Sequence, residues 1–313
     1  DFRRSRGLGD VYKRQPIMQE LSYLMPGEVF PEFFRIEMFQ RSLLAAVIVS
    51  IVAGYLGSFL LVRNLALIGD GLAHVSFGGV AVGIVLGATS PLEYAMVASV
   101  TSAILIYELQ SRNILSGDAS IAIFLTGMLA FGLVYLRYSG VGITIEVESY
   151  LWGDLLLTSS NDLDIIAFFC ILSYVFLIIL QPVLLATAVD PLSSHVQGIP
   201  VRQIGLLFSV ITAIVVVTMV QVVGTLLVTA LLVTPAATAQ LFSRSFRACL
   251  FWSQVFGLAS VFLGLYFSAE LNTGSGAMIA LVAAILFAIV GTIIALKSSI
   301  SPLLRESKQA GET

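Results

Sequence analysis

The sequence has very little charge. Of its 313 residues only 11% are Asp, Glu, Lys or Arg, whereas a soluble domain of ordinary composition carries about 25%. Hydrophobic residues make up 58% of the chain, and the mean hydropathy is +0.98. So few ionised side chains cannot cover the surface of a soluble globule. The composition therefore indicates an integral membrane protein.

Cysteine and histidine are scarce, with two of each, and there is no excess of basic residues. Each of these features excludes a class of protein. Cys170 and Cys249 both lie inside apolar runs, which excludes a disulfide framework and a cysteine zinc site. The 16 basic residues against 19 acidic ones do not give the basic footprint of a nucleic-acid-binding protein. Two histidines do not support a Ser/His/Asp or Cys/His active site, and no G-x-x-x-x-G-K-[ST] phosphate loop occurs. We expect a chain that is not an enzyme and has no permanently bound cofactor, with any ATP hydrolysis on a separate chain.

Long apolar runs, by contrast, are abundant. Twenty residues without a formal charge, at about 1.5 Å rise per residue, cross a hydrocarbon core of about 30 Å. Nine candidate segments predict an all-α integral membrane protein with about nine transmembrane helices, because barrel strands would alternate in polarity over about ten residues. The segments are Leu43–Val62, Leu65–Ala88, Pro91–Leu109, Ala119–Leu136, Ile165–Ala188, Ile204–Val223, Gly224–Phe242, Ala248–Phe267 and Ala277–Leu296. Eight spans are the alternative, since Gly224–Phe242 is rich in Thr, Ala and Pro. The segment Glu146–Leu157 could also dip partly into the bilayer.

Basic residues predict the orientation of the bundle. From the first predicted span onward, one set of loops holds eight basic residues and the other set holds only Arg137. Because positive charge marks the cytoplasmic side, we expect the N-terminus outside and the C-terminus in the cytoplasm. The eight are Arg63, Arg112, Arg202, Arg244, Arg247, Lys297, Arg305 and Lys308.

The regions of the chain follow from the same patterns. Residues 1–17 are expected to be a non-native or disordered extension, since Asp1–Gln15 packs five basic residues into fifteen and has no apolar run. Residues 18–42 are an N-terminal lead-in, residues 43–297 form the transmembrane domain, and residues 298–313 form a cytoplasmic tail.

Two ionisable residues mark the start of the second predicted span. In the run GDGLAHVSFGG, Asp70 and His74 are four residues apart, so a helix places both on one face. Such groups are costly in a membrane and usually face a cavity or pathway, and a carboxylate with an imidazole suits Zn²⁺, Mn²⁺ or Fe²⁺. Alternatively, Asp70 caps the helix N-terminus and His74 hydrogen-bonds to a neighbouring helix. The small residues around the pair are typical of close helix packing.

Helix start and stop signals cluster between the fifth and sixth predicted spans. Asp190 fits an N-cap, Pro191 the first helical position, Gly198 the position after the C-cap, and Pro200 follows the stop. This pattern predicts a short helix outside the membrane at about residues 190–200. Contact with an ATPase subunit and an ordinary surface helix are both open interpretations. His195 lies on this helix, where solvation is the default expectation.

Threonines recur in the seventh predicted span. Thr225, Thr229, Thr234 and Thr238 have helix-like spacing, and Pro235 removes one backbone hydrogen bond. The hydroxyls and the freed carbonyl could line a polar path. They could equally satisfy one another between packed helices.

Three motifs, taken in order, resemble a known family. GDGLAHVSFGGVAVG begins at Gly69, YLWGDLL spans Tyr150–Leu156, and VGTLLVTALLVTPAATAQLF spans Val223–Phe242. Together they are similar to the permeases of bacterial zinc, manganese and iron ABC importers, over the chain from about Leu43 to Leu296. The first and third motifs are specific in combination, and the middle motif is weaker.

The resemblance implies a multi-pass permease of the bacterial cytoplasmic (inner) membrane, surrounded by lipid. It implies a homodimer or paired permease, two cytoplasmic ATP-binding subunits and an extracytoplasmic metal-binding protein. The family's D-x-x-x-H motif maps onto Asp70 and His74, and its cytoplasmic coupling segment maps onto Asp190–Pro200.

Two other transporter classes stay open beside this one. A permease for iron chelates would share the helical architecture but would need a wide, mostly non-ligating cavity. An ion-coupled secondary carrier would need no ATPase, and such carriers are often built from internal repeats, which this sequence does not show. Aspartate and histidine serve zinc, manganese and iron alike, so the sequence does not select among the three metals.

Overall fold

The computed structural model describes residues 30–33, 36–88, 90–141, 150 and 160–310, and within these ranges the chain is helical with no strand. Three predicted regions lie outside the described residues. They are the extension 1–17, the start of the lead-in, and Glu146–Leu157 apart from Tyr150. The helices are α1 (Phe30–Phe33), α2 (Glu37–Val62), α3 (Ile68–Val85), α4 (Pro91–Ser111), α5 (Gly117–Tyr138), α6 (Ser160–Val189), α7 (Pro191–Val196), α8 (Val201–Val223), α9 (Thr225–Phe242), α10 (Phe246–Leu271) and α11 (Ser275–Ala310).

Eight of the described helices are long and apolar enough to cross a membrane, namely α2 to α6, α8, α10 and α11. The all-α membrane architecture predicted from the apolar runs is therefore confirmed. The seventh predicted span, Gly224–Phe242, corresponds to α9, whose apolar part, Leu227–Phe242, is shorter than the other eight spans. Its 18 residues rise about 27 Å, slightly less than the hydrocarbon core.

The direction of α9 follows from its neighbours. A Cβ added at Gly57 of α2 would meet Leu232, and Ser58 and Val62 share a cavity with Gln240, so α9 runs parallel to α2. Phe242 stacks edge-on against Trp252 of α10, with ring centroids 5.4 Å apart. The α9 helix thus reverses the direction of α8, and the turn between them is Gly224, with φ 76°. Within the described residues, the nine long helices from α2 to α11 alternate in direction, which places the start of α2 and the end of α11 at opposite ends of the bundle.

Two contacts and one shared cavity bring the arginine-bearing loops together at one end, which we call the basic end. Arg63 Nη2 donates to Thr187 Oγ1 at 2.9 Å, which joins the ends of α2 and α6. Arg202 forms an ion pair with Glu108, which joins α8 to α4. A cavity of about 270 Å³ lies between the end of α2 and the α9–α10 turn, with Arg244 in its lining.

The helices differ in how deeply they are buried. Over the most apolar stretch of each span, 72% of the residues are buried in α2 and in α3, against 22% in α5 and α6 and 17% in α11. The outer helices expose large apolar side chains such as Phe168 at 61% and Ile179 at 66%. Continuous apolar exposure of this kind suits contact with lipid, so α2, α3 and α8 form the centre of the bundle.

Two boundaries differ from the sequence prediction because helices continue past the apolar runs that predict them. The α2 helix begins at Glu37, inside the predicted lead-in, and α11 continues to Ala310, through most of the predicted tail. Apolar length marks where lipid begins and ends, and a helix can continue beyond it; at the start of α2, Glu37, Gln40 and Arg41 are polar residues of good helix propensity.

Glycines of α3 allow its neighbours to approach closely. A Cβ at Gly79 would lie 2.6 Å from the carbonyl oxygen of Tyr94 on α4, and one at Gly78 would lie 2.8 Å from that of Met128 on α5. The packing role predicted for the small residues is thereby confirmed.

Candidate metal site and coupling segment

Asp70 and His74 lie on one face of α3, at the basic end. The distance from His74 Nε2 to Asp70 Oδ1 is 3.6 Å, slightly longer than a hydrogen bond. The His74 side chain is 15% exposed and the Asp70 side chain 36%. The two groups therefore face a shared space that a ligand can reach.

Asp70 does not cap α3. The N-cap residue is Leu67, no side-chain capping bond is formed, and Asp70 lies in the first helical turn. A carboxylate there still gains from the helix dipole. The capping alternative is thus not what the structure shows, and neither Asp70 carboxylate oxygen accepts a hydrogen bond within the described residues.

The second nitrogen of His74 is also unused. His74 Nδ1 is enclosed and has no hydrogen-bond partner among the described residues. A buried polar nitrogen without a partner is costly, and a neutral imidazole nitrogen is a common metal ligand. The residues present fit a transition-metal ion as a passing ligand.

The pair is not a complete coordination sphere. No group of three or more His, Cys, Asp and Glu side chains suited to a metal ion occurs among the described residues. A closed protein site for zinc uses four ligands, whereas sites that exchange their ligand keep positions open.

Elements distant in sequence hold the first turns of α3. A Cβ at Gly69 would meet Leu232 of α9, and one at Gly71 would meet Ile121 of α5, each within 3 Å. Tyr150 donates its hydroxyl hydrogen to Ser76 Oγ at 2.9 Å, half a turn beyond Asp70 and His74, which we call the metal pair after their predicted role. Tyr150 opens the middle sequence motif, and reasoning from the sequence did not give it a role.

The threonines of α9 do not all have the same surroundings. Thr238 Oγ1 donates to the carbonyl of Thr234 at 2.7 Å, so its hydroxyl is satisfied within the helix. Thr225 is buried, and the hydroxyl of Thr229 is enclosed without a partner among the described residues. The α9 helix continues through Pro235 without interruption. Thr229 is therefore the member of this set that best fits a polar path.

The helix predicted between the fifth and sixth spans is α7, and its ends match the sequence signals. Asp190 is the N-cap, and its Oδ1 accepts the backbone N–H of Ser193 at 2.9 Å. Pro191 opens the helix, Gly198 has φ 83°, and Pro200 is the N-cap residue of α8. The hydrogen bonds from the Ser193 hydroxyl and backbone lower the pKa of the Asp190 carboxyl.

Apolar side chains on α7 point away from the protein. Leu192 is 75% exposed and Val196, one turn later, is 81% exposed. His195 is exposed, as expected for a solvated residue. The two apolar residues were not among the predicted coupling residues, although i and i+4 apolar residues on a short helix outside the membrane are a signal for an interface.

These features define a polytopic membrane protein that carries an aspartate–histidine pair on one helix face and a short capped helix at the same end of the bundle. Residues 35–294 match the ABC 3 transport family, and the chain belongs to this family. It is a membrane-spanning permease of the ABC transporter class.

Relatives and solved structures agree with this assignment. The chain is 33% identical over 264 residues to the manganese transport system membrane protein MntC of Halalkalibacterium halodurans, covering 83% of this chain and 88% of that protein. It is 31% identical over 251 residues to the high-affinity zinc uptake system membrane protein ZnuB of Haemophilus influenzae, covering 80% and 95%. It superimposes on PsaBC from Streptococcus pneumoniae in complex with Fab with a TM-score of 0.73 and 32% identity, covering 83% of this chain and 94% of that chain.

A more distant structure shares the fold. It is a metal-chelate type ABC transporter in an inward-facing conformation, with a TM-score of 0.68 and 15% identity, covering 92% of this chain and 99% of the other.

Proposed function

We propose that this chain is the permease subunit of an importer for a divalent transition metal, manganese or zinc, and that Asp70 and His74 bind the ion during its passage. The proposal depends on the hydrogen bonding of these two side chains. The carboxylate is not used as a cap, and His74 Nδ1 has no partner among the described residues. The named relatives transport manganese and zinc, which agrees with the chemistry of the two side chains.

An incomplete site suits transport. A carboxylate near the membrane is costly unless a cation compensates it, and a passing dication supplies that compensation for a limited time. Two protein ligands with exchangeable partners bind the ion without trapping it. The partial exposure of Asp70 leaves room for water, or for a group from a second permease, to complete the coordination sphere.

Energy comes from separate ATP-binding subunits in this proposal, and α7 is their contact. Its exposed pair, Leu192 and Val196, offers an apolar surface at the basic end that is not covered by the described residues. The capped ends at Asp190 and Gly198 hold that surface in one conformation. Leu192 and Val196 then supply the apolar part of the contact. The predicted coupling residues lie beside this surface or set the ends of the helix, namely Asp190, Pro191, His195, Gly198 and Pro200.

The remaining partners follow the family pattern. Two copies of this chain, or this chain and a related permease, enclose the path. An extracytoplasmic metal-binding protein delivers the ion to the end opposite the basic end, where Glu93 is exposed. We place the assembly in the cytoplasmic membrane of a bacterium.

The basic end lies in the cytoplasm in this arrangement. Single cysteines replacing Ser245 and Gly274, in a background without Cys170 and Cys249, flank α10 at its two ends. We expect an impermeant thiol reagent to label the Gly274 position from outside and the Ser245 position from inside only. Labelling of both positions from one face would contradict the arrangement.

The experiment that tests the function is uptake by the reconstituted complex. The permease, its ATP-binding subunits and the metal-loaded external protein are combined in proteoliposomes, and Mn²⁺, Zn²⁺, Fe²⁺ and an iron chelate are offered separately. We expect ATP-dependent uptake of free Mn²⁺ or Zn²⁺. Uptake of the chelate alone would indicate a chelate permease, and uptake driven by an ion gradient without ATP would indicate a secondary carrier.

A further inference from the structure

Arg63 lies where the end of α2, just before α3, meets α6 and α8, the two helices that flank α7. It is the C-cap residue of α2, seven positions before Asp70. Its Nη2 donates to Thr187 Oγ1 of α6 at 2.9 Å, and Thr187 lies three positions before Asp190. Its guanidinium carbon is 4.5 Å from the centre of the Phe208 ring, on α8. One side chain thus joins α2 to the helix before α7 and to the helix after it.

The charge of Arg63 has no carboxylate partner among the described residues. Its Nε is enclosed and makes no hydrogen bond within the described part of the chain. Burial lowers the pKa of the guanidinium, although the nearby Tyr107 acts in the opposite direction. An arginine at the end of a span would ordinarily extend its head into water. Here the head is turned inward, onto an aromatic face.

An ordinary ionic link between helices exists at the same end and shows the contrast. Glu108 of α4 pairs with Arg202 of α8 and with Arg112, and the two arginine side chains are 64% and 66% exposed. That link joins helices through charges that stay in water. Arg63 instead joins them through one hydrogen bond and one cation–π contact, both made by a largely enclosed guanidinium.

The connection from Arg63 to the metal pair is short and internally bonded. The amide of Leu65 donates to the carbonyl of Leu60 at 2.8 Å, and that of Ile68 donates to Leu65 at 3.1 Å. Asn64 occupies the left-handed region with φ 56°, which turns the chain directly into α3. A displacement of the end of α2 therefore reaches the first turn of α3 without a flexible linker between them.

We propose that Arg63 is a positioning residue that transmits movement of α7 to the metal pair on α3. When α7 is displaced by its partner, Thr187 and Phe208 move with the two arms that flank it. Arg63 moves with these two contacts and displaces the α2–α3 turn. The positions of Asp70 and His74 then change relative to the rest of the bundle. This inference rests on the proposed function, because it assumes that α7 contacts the ATP-binding subunits.

The test compares basal ATP hydrolysis with hydrolysis stimulated by metal and the loaded external protein, in the complete purified complex. Arg63→Gln removes the charge, Thr187→Val removes the acceptor, and Phe208→Leu removes the aromatic face. We expect each variant to retain the ATP-binding subunits while the stimulation ratio falls, by about fivefold or more for Arg63→Gln, a size typical of coupling between sites. Arg63→Lys keeps a cation and a donor, so we expect it to restore part of the ratio.

Arg247→Gln is the matched control, because Arg247 is exposed at the same end. It should leave the ratio unchanged. Wild-type stimulation in Arg63→Gln would overturn the inference, and so would an equal fall of basal and stimulated rates. If Arg63→Gln does not assemble, Thr187→Val and Phe208→Leu decide by the same ratio, and normal ratios in both, or failure of both to assemble, would leave Arg63 as a structural contact only. A wild-type complex that metal does not stimulate would count against the proposed function instead.

Discussion

Asp70 and Asp190 are two aspartates at the N-terminal ends of two helices at the same end of the bundle, and their surroundings differ. Asp190 is a true N-cap, with Oδ1 on the backbone N–H of Ser193 and Oδ2 on the Ser193 hydroxyl. Asp70 lies inside the first turn of α3, forms no capping bond, and faces His74 at 3.6 Å. Sequence rules allow the same capping role for both residues.

The difference separates a carboxylate whose hydrogen bonds support a helix end from one that forms no such bond. The hydrogen bonds of Asp190 account for its presence, because they satisfy donors that the helix leaves open. Asp70 makes no hydrogen bond of that kind within the described residues, and its charge is stabilised by the helix dipole and by partial exposure of the side chain. The proposed metal binding would account for an imidazole nitrogen that has no partner among the described residues and lies beside a partly exposed carboxylate.

The largest expected effect is therefore at the metal pair. Asp70→Asn keeps the size and the hydrogen-bonding capacity of the side chain but removes its charge and weakens it as a metal ligand. We expect metal uptake by the reconstituted complex to fall by at least about tenfold, the lower range seen when even outer groups of a metal site are lost. His74→Ala should have an effect of similar size.

Three measurements keep this result interpretable. Expression, membrane insertion and co-purification with the ATP-binding subunits should match the wild type, because neither side chain makes a bond that supports the fold in the described structure. Near-normal uptake by Asp70→Asn in an assembled complex would return Asp70 to a structural role. It would also remove the contrast with Asp190.

Much of the fold could be predicted from the sequence, because lipid imposes a length and a polarity on each span. The predicted start of the third span at Pro91 and the predicted end of the seventh at Phe242 agree with α4 and α9. The sequence leaves both eight and nine spans open, because α9 is short and carries threonines and a proline. Its direction became clear only from contacts with α2 and α10 that no local pattern contains.

The candidate site was predictable to the extent that it is local. One helical turn relates Asp70 to His74, and the caps of α7 lie within nine residues. The hydrogen bond from Tyr150 to Ser76 spans 74 positions, and the inward turn of Arg63 depends on Thr187 and Phe208, more than 120 positions away. Side-chain contacts over such separations are set by helix packing, which hydropathy and spacing do not encode.

The smallest expected effect is at the other aspartate. Asp190→Asn should leave uptake and co-purification with the ATP-binding subunits almost unchanged, because asparagine caps a helix about as well as aspartate. The pKa of Asp190 is lowered in the folded protein, so its charged-state contribution is present above the ordinary aspartate pKa and is lost only as pH falls through the lowered folded value. At neutral pH the wild-type cap is fully formed, and the comparison with asparagine is made there.

Gly198→Val is the control for the same helix. Gly198 has φ 83° and open space around its Cβ position, so a valine would meet backbone strain of about 1–3 kcal/mol rather than a clash. We expect a permease that inserts normally but retains less of its ATP-binding subunits when purified. A silent Asp190→Asn beside a defective Gly198→Val would show that α7 needs its shape and not its charge. Loss of uptake in Asp190→Asn with full retention of the subunits would instead give this aspartate a role like that of Asp70, and the distinction between the two carboxylates would fail.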